Sequence, residues 1–420
     1  MDIKGDNEVL KPIQIVFLLV AIFSKQAIAA DADPNKVGEG NALALKTGSA
    51  SPLVQSAMRV ILKNVRQIHD EAIRVATLDA LRNPATCVVH RVRVNDEVKA
   101  AIIVKLKEEG LLAEGGEAES GIFPPLNAEG SACPRLTLTL SGAPGSGWGS
   151  HHSYPGGLAV HEAFNLQSAL NFAALYRNVY GKGFLINLDW VIAAPAWHDW
   201  AKTMVFQWNA DGSIANEFNF GGTGHNDNYG APGDSRTGAH HILGLAETMA
   251  RGLPPGMVIA QASAHAAPTL GNEYKVVNWL RAASLIARID PAAKGYLVID
   301  KFGHWRLPPL NLLWDGLDLN KNDQANVLLE YQIHNLSDAD FVESIPAAAN
   351  ADLLLKTVAK QFGYGAADAA VYNNKFRNVV LAYLSAERVS FLYSSYGLDA
   401  VVKEIEALKT RGIIILGPKP

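Results

Sequence analysis

Residues 151–180 read HHSYPGGLAVHEAFNLQSALNFAALYRNVY, and this stretch decides the fold class. After the Pro-Gly-Gly turn, Leu158, Ala169, Phe172, Tyr176 and Val179 recur with the period of a helix that has one apolar face. His161 shares that stripe and therefore points inward. Downstream, the same kind of pattern predicts helices over 188–203, 236–251, 255–266 and 274–289, separated by Gly- and Pro-rich loops. Upstream, Val54, Met58, Ile61, Leu62, Val65, Ile68 and Ile73 carry helical spacing, as does 97–112. Residues 134–141 (PRLTLTLS) alternate as a half-buried strand does. The run GAPGSGWG (142–149) reads as a domain boundary, and the Ala-, Gly-, Ser- and Asn-rich residues 30–52 read as a linker. Further helices are predicted over 323–334, 351–362, 373–396 and 398–411. The expected fold is mainly α: a helical bundle over 146–300, an N-terminal helical region with a short strand over 53–145, and a helical C-terminal region over 301–420.

A chain of 420 residues, 49% hydrophobic and 19% charged, can bury a large core and has the composition of a folded enzyme. Its net charge of −4, with Lys and Arg scattered, provides no basic stripe for a phosphate backbone, which argues against duplex nucleic acid as a partner. Residues 13–23 (IQIVFLLVAIF) are too few to span a bilayer and precede Ala27-Ile28-Ala29, so 1–29 reads as a signal peptide cleaved near Ala29. That places the mature protein in the periplasm or outside the cell, with no stable membrane span. The two cysteines, Cys87 and Cys133, are then expected to pair. Closing that loop contributes about 3 to 4.5 kcal/mol on chain-entropy grounds.

Twelve histidines are present, and their positions matter more than their number. His198 and Asp199 sit in PAWHDWAK (195–202), an apolar helical setting where a buried imidazole and carboxylate are costly without a cation or hydrogen-bond partners. Neighbours on a helix project about 100° apart, so an ion between them can take a nitrogen from one and an oxygen from the other. Lys202 follows Asp199 by one turn, and His265, in ASAHAAP, ends a helix before Pro268.

In chain order, HHSYPGGLAVH (151–161), HDWAK (198–202), HHILG (240–244) and His265 resemble the HD superfamily of metal-dependent phosphohydrolases, over about residues 150–291. The first segment looks like the opening of HD domains in exoribonuclease- and relaxase-associated members, and the second is similar to an HDxGK-type core. The resemblance implies that His161, His198 and Asp199 are metal ligands. Asp199 would bridge two ions and orient the attacking water, and Lys202 would meet the substrate phosphate or the nucleophile. A further ligand falls at His240 or His241; spacing to Gly244 favours the first and spacing to His265 the second. His240 is taken as the ligand, with His241 beside it orienting ligands or binding substrate oxygens. His265 completes the set.

One or two divalent ions are implied, and imidazole-rich donors suit Fe, Mn, Zn, Ni or Co better than Mg. The implied reaction is hydrolysis of a phosphoester in a small phosphorylated substrate or nucleotide. The family's last carboxylate lies in a helix of the form AAD, whereas the corresponding run here is Leu280-Arg-Ala-Ala-Ser284, so the expected site is one negative charge short. That departure keeps two rivals open, an HD-like di-iron oxygenase and a non-catalytic periplasmic metal- or ligand-binding protein. His151 and His152 either reach the same cleft or lie in an exposed loop. The Gly-, Asn- and Asp-rich loop 211–238 is expected to form a lid.

Overall fold

Helices dominate the computed structural model, which describes residues 38–82, 92, 94–112, 138–181, 183, 185–215, 217, 219–220, 235–268, 272–308, 329–365 and 367–417. The expected signal peptide, the Cys87–Cys133 pair and most of the 211–238 loop lie outside the described residues.

The expected linker contains the helix Asn41–Ala50 (α1). Its small residues serve close packing rather than flexibility: a Cβ on Gly48 would lie 1.8 Å from the Ser141 carbonyl oxygen. Pro52–Val65 (α2) follows, started by Ser51 Oγ accepting the Val54 N–H (3.3 Å) with Pro52 at the first helical position. Its stripe Val54, Ala57, Ile61 and Val65 is buried. The chain then breaks before Glu71–Arg82 (α3) and Asp96–Glu108 (α4), the latter capped by Asn95 Oδ1 on the Val98 N–H (2.9 Å). The strand expected over 134–141 does not form in its described part. Leu138 and Leu140 are both buried, which explains the alternation, but they lie at a turn that the Gly142 N–H closes onto the Thr139 carbonyl (2.9 Å).

The bundle is built on Gly157–Tyr180 (α5) and Leu188–His198 (α6). α6 is apolar and buried from Val191 to His198, as a helix threaded through the centre must be. It does not continue to Thr203: Asp199 leaves the helix at φ −108°, and one turn, Lys202–Val205 (α7), restarts it. Ala239–Ala250 (α8) and Pro255–Ala262 (α9) pack against α6, Glu273–Ala287 (α10) packs on α8, α9 and α4, and Leu329–Ser337 (α11) packs against α5, α6 and α9. One apolar core joins Val54 to Trp197, Ile242, Trp279 and Tyr331, so residues on both sides of 142–149 share it.

Phe341–Val358 (α12), Ala369–Tyr372 (α13), Asn378–Leu384 (α14), Ala386–Tyr396 (α15) and Leu398–Thr410 (α16) surround a second core, into which Tyr154 reaches. The single helix expected over 373–396 is broken at Ser385, where φ is +63°. Strand content is slight: Asn219–Phe220 (β1) pairs antiparallel with Thr237–Gly238 (β2), and Val298–Ile299 (β3) with Trp305–Arg306 (β4). Among the described residues no helix is long and apolar enough to cross a membrane.

Candidate metal centre

The chain enters α5 through a tight knot. The Gly145 N–H donates to the His152 carbonyl (2.9 Å), a Cβ on Gly157 would lie 1.9 Å from that same oxygen, and one on Gly145 would lie 2.5 Å from His152 Cβ. His152 has φ +51°, a left-handed conformation that costs a residue other than glycine about 1 kcal/mol. The run expected to separate domains is thus folded against the start of α5, and Lys202 Nζ donates to the Gly145 carbonyl (2.5 Å).

Just beyond the knot, His161 faces the end of α6. His161 Nε2 lies 3.2 Å from Asp199 Oδ2 and 3.2 Å from Asp338 Oδ1, while His198 Nε2 lies 3.3 Å and 3.1 Å from the same two oxygens. Bonds of about 2.1 Å to nitrogen and oxygen ligands place neighbouring ligand atoms about 3.0 to 3.4 Å apart. His161, His198 and Asp338 therefore have donor atoms close enough to hold one cation, and Asp199 Oδ2 stands beside both imidazoles. The break after His198 leaves Asp199 Oδ2 within reach of His161, His198 and Lys202.

The other oxygen of Asp199 looks elsewhere. Asp199 Oδ1 lies 3.1 Å from His240 Nε2, yet both atoms are buried without a hydrogen-bond partner. The two atoms form an ion pair in the ion-free chain and are near enough to share a cation. Asp199, His240 and His265 have donor atoms within 4.8 Å of one another, as do His161, His198 and Asp338. His265 is exposed, so the centre opens to solvent on its side.

Each ring is steadied from behind, which fixes the nitrogen it presents. His240 Nδ1 lies 2.7 Å from Glu217 Oε2, His265 Nδ1 lies 2.9 Å from Thr237 Oγ1, and His161 Nδ1 lies 3.2 Å from Asp340 Oδ1. His198 Nδ1 lies 2.9 Å from the Pro195 carbonyl and 3.5 Å from the fully buried Glu162 carboxylate.

Burial opposes charge on His161, but Asp340, Asp199 and Asp338 outweigh it and hold the imidazole well above its ordinary range. Asp199, Glu162 and Asp338 do the same for His198. Burial also resists ionisation of Asp199 and Asp338, yet His198, with Lys202 beside the first and His161 beside both, keeps both carboxyls well below theirs. In the ion-free chain these imidazoles hold protons that a bound cation would have to displace. His241 is the opposite case: burial, then His265 and His240, pushes it well below its ordinary range, so it stays neutral.

The structure therefore brings His161, His198, Asp199, His240 and His265 together in neighbouring groups that could hold a metal ion. His241 stands aside, stacked on His265 (4.1 Å, 16°) with the edge of Trp279 at 4.7 Å. Lys202 is buried against Asp199. His151 and His152 do not sit in an exposed loop; their rings lie 4.9 Å and 5.3 Å from that of His161. Ser284 is not at the centre. Its Oγ donates to the Arg281 carbonyl (2.7 Å) on the face of α10 turned to α4, whereas Asp338, a carboxylate not singled out from the sequence, lies 3.2 Å from His161 Nε2.

Sequence reasoning missed Glu162, Glu217, Asp338 and Asp340, together with His334, whose ring lies 5.1 Å from that of His198. The signal for three of them is the run His334-Asn-Leu-Ser-Asp338-Ala-Asp340, an imidazole and two acids closing an apolar helix. No family model, curated protein or solved structure matches this chain. What its fold and centre define is a mainly helical protein whose buried His/Asp clusters could hold a metal ion.

Proposed function

We propose that this protein is an HD-type metal-dependent hydrolase of phosphoesters, exported on the strength of its N-terminal apolar run. The observation that carries the reading is the division of Asp199: Oδ2 faces His161 and His198, and Oδ1 faces His240. A single buried carboxylate thus joins two donor groups, in the order His161, His198-Asp199, His240, His265 and Asp338 along the chain. Asp338, beside His161 and His198, supplies a carboxylate where Ser284 does not, which supports the catalytic reading over a non-catalytic binding protein.

When bound, a divalent ion at these residues acidifies water and offsets charge on a phosphoryl oxygen. The chain supplies the rest. Asp199 keeps Lys202 charged despite burial, so an ammonium stands beside the donors to meet a phosphate oxygen. Neutral His241 props His265 at the open side, and Glu217 and Asp340 hold His240 and His161 in register. The histidine-rich donors favour Fe, Mn, Zn, Ni or Co over Mg. The substrate is a small phosphorylated molecule or a nucleotide.

The test is turnover of bis(4-nitrophenyl) phosphate and nucleoside monophosphates by protein loaded with each of these metals, alongside Asp199→Ala. Metal-dependent hydrolysis that the substitution abolishes is expected. Full metal occupancy with no turnover on any phosphoester refutes the reading. The completed pair of donor groups also suits a di-iron oxygenase, and an iron-dependent absorbance band with dioxygen uptake identifies that alternative.

A further inference from the structure

A cavity of about 630 Å³ lies between α4 and α10, with Trp305 of β4 on its wall. It is separate from the metal centre, because α10 turns Trp279 toward His241 and turns Arg281, Ser284 and Arg288 toward this cavity. The helix that failed to supply a metal ligand thus lines a different site.

Its charges are unequal. Of the two acids on the wall, Glu109 is committed to Arg281 (2.8 Å), and Asp290 Oδ1 accepts the Ala292 and Ala293 N–H groups (2.9 and 3.1 Å). Arg288 Nη1 donates to the uncharged Val92 carbonyl (3.2 Å). Lys105 reaches Glu109 only at 3.9 Å. Positive charge therefore remains beside an indole and the apolar side chains of Ala101, Leu285 and Pro291. Arg288 also ends α10 at φ +55°, where glycine is at ease and an arginine costs about 1 kcal/mol. An arginine is thus held at the rim where helix termination alone favours glycine.

We propose that this cavity is a binding site for a small, flat amphipathic anion, its apolar body against Trp305 and its carboxylate, sulfonate or phosphate on Arg288 and Lys105. The volume suits a small organic ligand, and a cation at an apolar edge attracts an anion more strongly than one in open water. Nothing in this site depends on the metal centre.

The test is calorimetric titration of the full chain with 8-anilinonaphthalene-1-sulfonate, beside its uncharged relative N-phenyl-1-naphthylamine. One saturable site for the sulfonate is expected, with the uncharged relative weaker by at least about tenfold. Ala101→Trp fills the cavity from its exposed rim, and Arg288→Gly removes the cation while easing the backbone; each should weaken the sulfonate by at least about tenfold. Because Arg288→Gly should raise the melting temperature, lost binding in that variant is not lost folding. Absence of saturable binding, equal affinity in wild type and either variant, or equal affinity for the uncharged relative overturns the proposal.

Discussion

Replacing Asp338 with asparagine keeps the shape of the side chain and removes its charge, which isolates what the carboxylate does at the centre. Asp338 Oδ1 lies 3.1 Å from His198 Nε2 and 3.2 Å from His161 Nε2, and it accepts a bond from Asn165 Nδ2 (3.1 Å). Removing a group that only steadies a metal ligand weakens metal binding by about 10- to 100-fold. Loss of a charged donor itself should reach at least about 100-fold, or about 2.7 kcal/mol at 1.36 kcal/mol per factor of ten. In the ion-free chain the substitution takes a buried counter-charge from two imidazoles, which costs at most about 3 to 5 kcal/mol because the rings can shed their protons. Competition for zinc or manganese against a chromophoric chelator measures the first effect, and thermal melting of the chelated protein measures the second. Ser284→Ala, on the far face of α10, is the control and should keep its metal in full. Unaltered affinity in Asp338→Asn, or loss of metal in Ser284→Ala, refutes the assignment.

His240→Ala should lower bound metal by one ion per chain while sparing the donor group of His161, His198 and Asp338; elemental analysis decides, and loss of all metal counts against two separate groups. Chelation should lower the melting temperature reversibly, since an ion present at a hundred times its Kd stabilises by about 2.7 kcal/mol; an unchanged melting curve contradicts the centre. At the start of α6, Asp189 accepts the N–H groups of His69 and Asp70 (2.9 Å each), and these bonds outweigh burial to hold its carboxyl below the usual range. The stabilisation is present above the ordinary carboxylate pKa of about 3.9 and fades as pH falls through the lowered value. Asp189→Asn should therefore cost about 1 kcal/mol at neutral pH and progressively less in acid, and a cost independent of pH rules this out.

The parts of the fold legible in the sequence are those with one wet and one dry face. α2 announces itself because its stripe of Val54, Ile61 and Val65 is periodic and buried. α1 does not, because Gly48 and its small neighbours allow close approach to Ser141, and small residues read as a linker. The end of α6 is equally hidden: a helix buried all round has no period whose loss could mark the break at Asp199. The same reasoning applies to the centre. His161, His198, Asp199, His240 and His265 are legible from their order, but choosing between His240 and His241 requires the rotation of α8 about its axis. Adjacent residues project about 100° apart, and only His240 faces Asp199. Asp338 and Glu217 stand outside any α-helical stripe, one just after α11 and one before β1, so periodicity carries no trace of them.

Several of the costs this chain accepts meet around one point, and together they say more than any single contact. Glu162, Asp199, Asp338, His161, His198 and Lys202 are all buried, where each charge loses several kcal/mol of hydration. Around them the chain adds a left-handed His152, backbone contacts at Gly145 and Gly157 that leave no room for a side chain, and an interrupted central helix. None of these devices improves the apolar core, which Trp197, Trp200 and Met204 fill without them. A bundle selected for stability alone gains by replacing such a cluster with well-packed hydrophobic side chains. Asp338 extends the point to the C-terminal region. Its partners His161, His198 and Asn165 lie on α5 and α6, so the helices beyond Lys301 complete the centre rather than decorate it. Strain and buried charge that meet at one place, drawn from segments so distant in the chain, support the proposal of a site held for its chemistry.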